Sequence, residues 1–420
     1  MGWLLYQAGM LTLLVAAAPI LLLRRGGHYL RTVRGRLGAH PPLEPRRRLW
    51  VHAVSVGEVG VASTLIRALP AATPLVVTTV TPTGQAVARR SVDAAAQVTY
   101  LPFDLGLPVR RFLDAYTPKA LILIEGDLWP LLLERAKRRD LPVVVVNGRV
   151  SDRGFARLRR LRRWTRPLLG PVDLYGVQTE QDRDRLLELG VPAAKVRVTG
   201  NLKFESGEPP VLPALEAELR RLAGDRAVLV AGSTMPAEED HVLEAFARVG
   251  AQRALLVLAP RHPERATEVE ERIAARHLGC VRRSRLSEPS CPGAAPAVLL
   301  LDTMGELASL YRLAAGVFVG GTLVPTGGHN PLEAARFAVP IAAGPSMQNF
   351  AEIAALLDAR RAWLRVADAS ALAAAWSAWL DDPSSARLLG ERAWSVLDEN
   401  RGALERTLEL LRPVLTAPDR

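Results

Sequence analysis

Three acidic residues in the first half of the chain stand where a short apolar run gives way to a turn, a position that presents a side chain to a ligand. Glu58, in Ser55-Val56-Gly57-Glu58, follows the run 49–54 and opens a helical pattern. A carboxylate there can take a proton from a hydroxyl as a general base. It can equally complement the positive end of the helix, the commoner use of an acid in a first turn. Glu125 and Asp127 follow the run 120–124 in Ile-Glu-Gly-Asp-Leu-Trp-Pro. Two carboxylates so spaced can hold a hydroxylated substrate, or Asp127 can be a helix N-cap. Lys203, in Gly200-Asn201-Leu202-Lys203, follows the run 195–198. It can stabilise charge on a leaving phosphate or bind an anionic substrate; a solvated lysine fits the position as well.

The second half carries anion-binding chemistry. Paired glycines, Gly320-Gly321 and Gly327-Gly328, deliver His329-Asn330-Pro331-Leu332-Glu333 to a predicted helix start, with Pro331 in the first turn. The free N–H groups there suit a nucleotide phosphate, and Glu333 can accept hydrogen bonds from a ribose. An ordinary strand-loop-helix connection carries the same signature. Pro260-Arg261 follows the run 254–258, and the guanidinium suits bidentate phosphate or carboxylate binding. Asp302-Thr303-Met304-Gly305-Glu306 follows the run 297–301. Thr303 is the expected N-cap there, with the N–H groups of Met304, Gly305 and Glu306 facing an anion. Three such loops at one sheet edge place a nucleotide on the second half of the chain.

The elements that must position these residues are legible as apolar runs alternating with helical patterns. The runs are short and continuous, as buried parallel strands are. The pattern is α/β, with a polar, proline-rich break at 203–213 and a helical tail from 370. It predicts two doubly wound domains, over 29–205 and 206–420, with the active site in the cleft between them at the carboxyl ends of the strands. Residues 3–23 hold no charge, enough to span a bilayer. Arginines follow rather than precede them, which predicts an anchor over 1–28 with the rest of the chain in the cytoplasm. Gln7 and Pro19 leave a monotopic anchor open.

Composition narrows the partners. A net charge of +11 favours anionic ones, while 5% aromatics and no interleaved aromatic-basic stretch argue against nucleic acid. The two cysteines, Cys280 and Cys291, form no CxxC pair, so neither structural zinc nor a disulfide framework is expected. No Asp-x-Asp follows a strand with supporting ligands, and Asp381-Asp382 lies in the helical tail, so no catalytic metal or other cofactor is expected.

The ordered motifs WVHAVSVGEV (50–59), TPTG (81–84), EGDLWP (125–130), NGRVSD (147–152), VQTEQD (177–182), VTGNLKF (198–204), APRHPER (259–265), DTMGEL (302–307) and VGGTLVPTGGHNPLEAA (319–335) span nearly the whole chain. Together they resemble the 3-deoxy-D-manno-octulosonic acid (Kdo) transferases of lipopolysaccharide synthesis. The resemblance implies a metal-independent, inverting GT-B glycosyltransferase at the cytoplasmic face of the inner membrane. CMP-Kdo is the implied donor and a tetra-acylated lipid A precursor the acceptor. It implies Glu58 as the general base, and Glu125 and Lys203 as transition-state stabilisers. Pro260, Arg261, Met304, Gly305, Glu306, Asn330, Pro331, Leu332 and Glu333 are the implied CMP-binding residues. The chain departs from the family pattern at Asp127, usually Glu, and at Met235 and Ser346, both usually His. Two other functions fit part of the pattern: a GT-B transferase with a different nucleotide sugar, and a membrane-anchored nucleotide-binding scaffold without catalysis. Donor selectivity separates the first, and the presence of Glu58, Lys203 and Arg261 argues against the second.

Overall fold

The computed structural model describes residues 2–40, 46–92, 96–205, 207, 209–286 and 295–416, apart from the side chains of 20–31, 162–164 and 166. Cys291, and Ser206 and Glu208 of the predicted linker, lie outside the described residues. The chain forms two compact units, one of residues 1–206 with 401–420, the other of 207–400.

The first unit is built on seven parallel strands: β1 (Arg48–His52), β2 (Leu75–Thr79), β3 (Gln97–Tyr100), β4 (Pro118–Ile124), β5 (Val143–Gly148), β6 (Leu174–Val177) and β7 (Val196–Val198). Their order is β3-β2-β1-β4-β5-β6-β7. The chain winds outward from β1 in one direction, then from β4 in the other, so the reversal falls between β1 and β4. Residues such as Leu49, Val51, Ile122 and Val144 are fully buried, as expected of strands covered on both faces.

The second unit repeats the plan with β8 (Ala227–Thr234), β9 (Ala254–Pro260), β10 (Cys280–Arg282), β11 (Val298–Leu300), β12 (Gly316–Val319), β13 (Ile341–Ala343) and β14 (Leu364–Arg365). The order is β10-β11-β9-β8-β12-β13-β14, all parallel, with the reversal between β8 and β12. The loops bearing Arg261, Met304 to Glu306 and Asn330 to Glu333 follow β9, β11 and β12, so this topology sets them on one edge.

Two boundaries differ from expectation. The apolar N-terminal helix runs from Gly2 to Arg36 rather than ending at 28. Its window Gly2–Pro19 is long and apolar enough to cross a membrane, with Leu4, Leu5, Leu11, Leu13 and Val15 exposed. Tyr6 Oη donates to Asp104 at 2.6 Å and Gln7 accepts from the Gly106 N–H at 3.0 Å, holding the start of this helix to the first unit. At the other end, the helix Ala403–Leu415 belongs to the first unit and not to the C-terminal domain expected over 206–420. Ala403, Leu411 and Val414 join the first unit's core, and Glu205 accepts from the Ala403 N–H at 2.7 Å. Burying this apolar face outweighs its nearness in sequence to the second sheet.

Candidate active site

In the first unit the predicted acids meet at the strand reversal. Ser55 caps the helix Val56–Arg67. Glu58 reaches back over that cap: its Oε2 accepts from the Val54 N–H at 2.7 Å and its Oε1 from the Ser55 hydroxyl at 2.9 Å. This is a capping-box arrangement with the return bond moved one residue upstream. The TPTG motif supports it, because Thr81 caps the helix Pro82–Ser91 while its hydroxyl donates to the Val54 carbonyl at 3.3 Å. The helix-start use of Glu58 is therefore present, without exhausting the carboxylate. An ionised carboxylate offers about four acceptor positions, so the two bonds leave each oxygen with capacity. Burial raises its pKa, the Val54 and Ser55 bonds lower it, and the charges of Glu125 and Asp127 raise it again, for a net rise above 4.5.

Glu125, the residue after β4, has a left-handed conformation at φ 58°. Non-glycine residues seldom adopt this, and when they do the side chain is aimed where a regular strand would not send it. Lys203 Nζ lies 2.8 Å from Glu125 Oε1, both side chains one-fifth exposed. Burial, followed by the Glu125 charge, raises the Asp127 pKa. Of the two readings open for Asp127, the N-cap is not realised: the helix Pro130–Lys137 begins after Trp129, and Asp104 accepts from Leu131 N–H at 3.1 Å and Leu132 N–H at 2.7 Å. Asp127 is left as an exposed acid in the field of Glu125.

A row of buried amides behind Lys203 was not visible in the sequence. Asn147, at φ 58°, sits at an irregularity of β5 between Val145 and Gly148. Its side-chain oxygen accepts from the Leu202 N–H at 2.8 Å, and its carbonyl accepts from Gln178 at 3.0 Å. Gln178 accepts from Asn201 at 3.1 Å, and Asn201 accepts from the Lys203 N–H at 2.9 Å. The backbone partners at both ends fix which way each amide faces. His52 of the first motif takes no part: it is buried against Thr78 and pushed down to about 4, so it is neutral.

The second unit presents a different surface at its reversal. Ser233, at φ 56°, interrupts the β8 register between Gly232 and Thr234. A Cβ on Gly320 would run into the Ser233 carbonyl, so glycine lets the loop after β12 pass close to β8. Gly327 and Gly328 have φ of 92° and 75°, which favour glycine and bring His329 round beside Gly321. His329 is lowered to about 4, by burial first and then by Arg261. Burial raises Glu333, while Arg261 and Arg336 pull it down. His329 and Glu333 thus each sense Arg261, and the exposed Arg261 has no ion pair among the described residues.

The helices that follow the predicted starts are short. Leu332–Ala335 is a single turn whose N-cap is Pro331, with Asn330 accepting from the Leu332 N–H at 3.1 Å. Thr303 is not a cap, because the helix there is only Leu307–Leu310, preceded by Glu306. Met304 and Gly305 form an exposed turn, and Glu306 is held by Arg283 at 2.9 and 3.1 Å and by the Thr303 hydroxyl. Ser346 has a clear role: its hydroxyl accepts from the Gly327 N–H at 3.0 Å and donates to Gln348 at 2.9 Å.

Residues 31–206 match the family model described as 3-deoxy-D-manno-octulosonic-acid transferase. The chain is 35% identical over 378 residues to a 3-deoxy-D-manno-octulosonic acid transferase of Haemophilus influenzae, covering 88% of each. It is 35% identical over 396 residues to the enzyme of that name from Bordetella pertussis, covering 90% of each. The chain belongs to the Kdo transferase family. It is therefore a glycosyltransferase, as the resemblance in its motifs implies. The crystal structure of UDP-GlcNAc 2-epimerase from Neisseria meningitidis, 11% identical, superposes with a TM-score of 0.54 over 87% of this chain and 99% of that one. That likeness concerns the fold alone, and it agrees with the two doubly wound domains expected from the alternation of elements and with the GT-B class that the resemblance implies.

Proposed function

We propose that this Kdo transferase moves Kdo from CMP-Kdo to a lipid A precursor, with inversion and without a metal ion, at the cytoplasmic face of the inner membrane. The observation that carries the reading is Glu58 at the strand reversal, raised in pKa and within the field of Glu125. A raised carboxylate pKa makes a better base near neutral pH, provided the group is ionised. Glu58 accepts the proton of an acceptor hydroxyl as its oxygen attacks the anomeric carbon of Kdo. The bond to the CMP phosphate breaks, and its electron pair leaves with the phosphate. Attack and departure on opposite faces of the sugar invert its configuration.

Lys203, paired with Glu125, supplies positive charge where negative charge develops. Arg261, without an ion pair among the described residues, and the loop from Asn330 to Glu333 hold CMP. Pro260, Met304, Gly305 and Glu306 complete that surface. Glu306 contributes there through its backbone, since Arg283 occupies its carboxylate. The exposed apolar side chains of Gly2–Pro19 attach the chain to the membrane that carries its acylated acceptor.

The test is transfer from CMP-Kdo generated in situ to a lipid A precursor in detergent with EDTA, read by mass spectrometry. A product heavier by one or more Kdo units supports donor, acceptor and metal independence together. No product from a chain that still binds CMP would redirect the reading to another donor or acceptor.

A further inference from the structure

The helix Glu238–Val249 starts with two adjacent glutamates, both fully buried. Acids are common in first turns, where they satisfy one or two N–H groups of their own helix. Glu238 does something else. Its Oε2 accepts from Gly321 N–H at 2.6 Å and Met235 N–H at 3.1 Å; its Oε1 accepts from Thr322 N–H at 2.9 Å and Leu323 N–H at 2.8 Å. All four donors are backbone groups, three of them in the loop after β12. Glu239 points to another loop. It pairs with Arg265 at 2.8 Å, beyond β9 on the Arg261 loop, and Thr234 at the end of β8 donates to it at 3.4 Å. Thr322, itself buried, ties the same β12 loop to the next one by accepting from the Gly344 N–H at 2.7 Å.

We propose that Glu238 and Glu239 are positioning residues for donor binding, fixing the spacing of the loops after β8, β9 and β12 before any ligand arrives. The inference rests on the reading of this edge as the CMP-Kdo site. Its chemical basis is the saturation of Glu238: four N–H groups fill both oxygens, so the residue has no capacity for substrate and serves only to hold backbone. Loops ordered in advance bind a ligand without the cost of ordering them at that moment.

Glutamine tests this sharply. Whichever way its amide turns in Glu238→Gln, an NH2 group meets two backbone N–H donors that have lost their acceptor. Such buried donors are expensive, so CMP affinity of the full-length chain in detergent, measured by calorimetry, should weaken about ten- to a hundredfold. The KM for CMP-Kdo should rise in step, with kcat at saturating donor much less affected. A folded E238Q chain with unchanged CMP affinity and KM overturns the proposal. Should E238Q not fold, amide hydrogen exchange on the unliganded wild type decides. The N–H groups of Gly321, Thr322 and Leu323 should be protected like those of β12, and fast exchange overturns the proposal. That readout does not use CMP, so wild-type chain that shows protected amides but binds no CMP would refute the donor-site reading and leave the loop geometry standing.

Discussion

The two units share a strand plan but handle their acids in opposite ways. At the β1/β4 reversal, Glu58 keeps acceptor capacity on both oxygens, Glu125 is paired with one lysine, and Asp127 lies in the field of Glu125. At the β8/β12 reversal, Glu238 is saturated by four N–H groups and Glu239 is closed by Arg265, while Arg261 has no ion pair among the described residues. Burial raises the pKa of both Glu58 and Glu238, so the direction of the shift does not tell a reactive acid from a structural one. The number of donors each already satisfies does. On the proposed reading, one reversal accepts a proton and the other holds an anion.

The largest effect expected from this contrast is at Glu58. Glu58→Ala should cut transfer by about a hundred- to ten-thousandfold, the range of general base catalysis, with CMP affinity unchanged by calorimetry. Turnover and stability should also respond oppositely to acid. The folded pKa of Glu58 lies above its unfolded value, so its contribution to stability is fully present below the unfolded pKa and is lost as pH rises through the folded one. The base, by contrast, works only above the folded pKa. A pH–kcat profile should therefore lose activity on acidification above the ordinary glutamate range, and that limb should be absent in Glu58→Gln. Next is Lys203→Met, expected to lower kcat about a hundredfold. The same change should cost at most about 1 kcal/mol in denaturant unfolding, because the Glu125 pair is partly exposed.

The strands that the sequence displayed best are those buried on both faces, such as β1, β4, β8 and β9. β3, β10 and β14 lie at or near sheet edges and are short or only partly buried, so no continuous apolar run marks them. The places of Glu58, Glu125 and Lys203 were legible because each directly follows a strand or short apolar run. What stayed hidden is long-range. Asp104 satisfies the start of a helix for which Asp127 was an open cap candidate, Arg283 takes up Glu306, and Glu238 serves a loop more than eighty residues away. No local pattern separates those acids from solvated ones. The helix Ala403–Leu415 was likewise legible as a helix but not as part of the first unit, since its partner surface lies far back in the chain.

On the anion-holding side, Arg261→Ala should raise the donor KM about ten- to a hundredfold, with Arg261→Lys only partly restoring it, because lysine lacks the planar fork. Ser346→Ala should have the smallest effect. It removes the hydroxyl acceptor of the buried Gly327 N–H and should cost about 1 kcal/mol by denaturant unfolding, with a modest rise in donor KM.

The division of labour between the two reversals is tested most directly by one crossed comparison: CMP affinity and single-turnover transfer, measured together for Glu58→Ala and Arg261→Ala. The account predicts that the first binds CMP as wild type does and transfers almost nothing, while the second binds CMP weakly and recovers much of its turnover at saturating donor. Wild-type transfer by Glu58→Ala, or wild-type CMP affinity in Arg261→Ala, would contradict it.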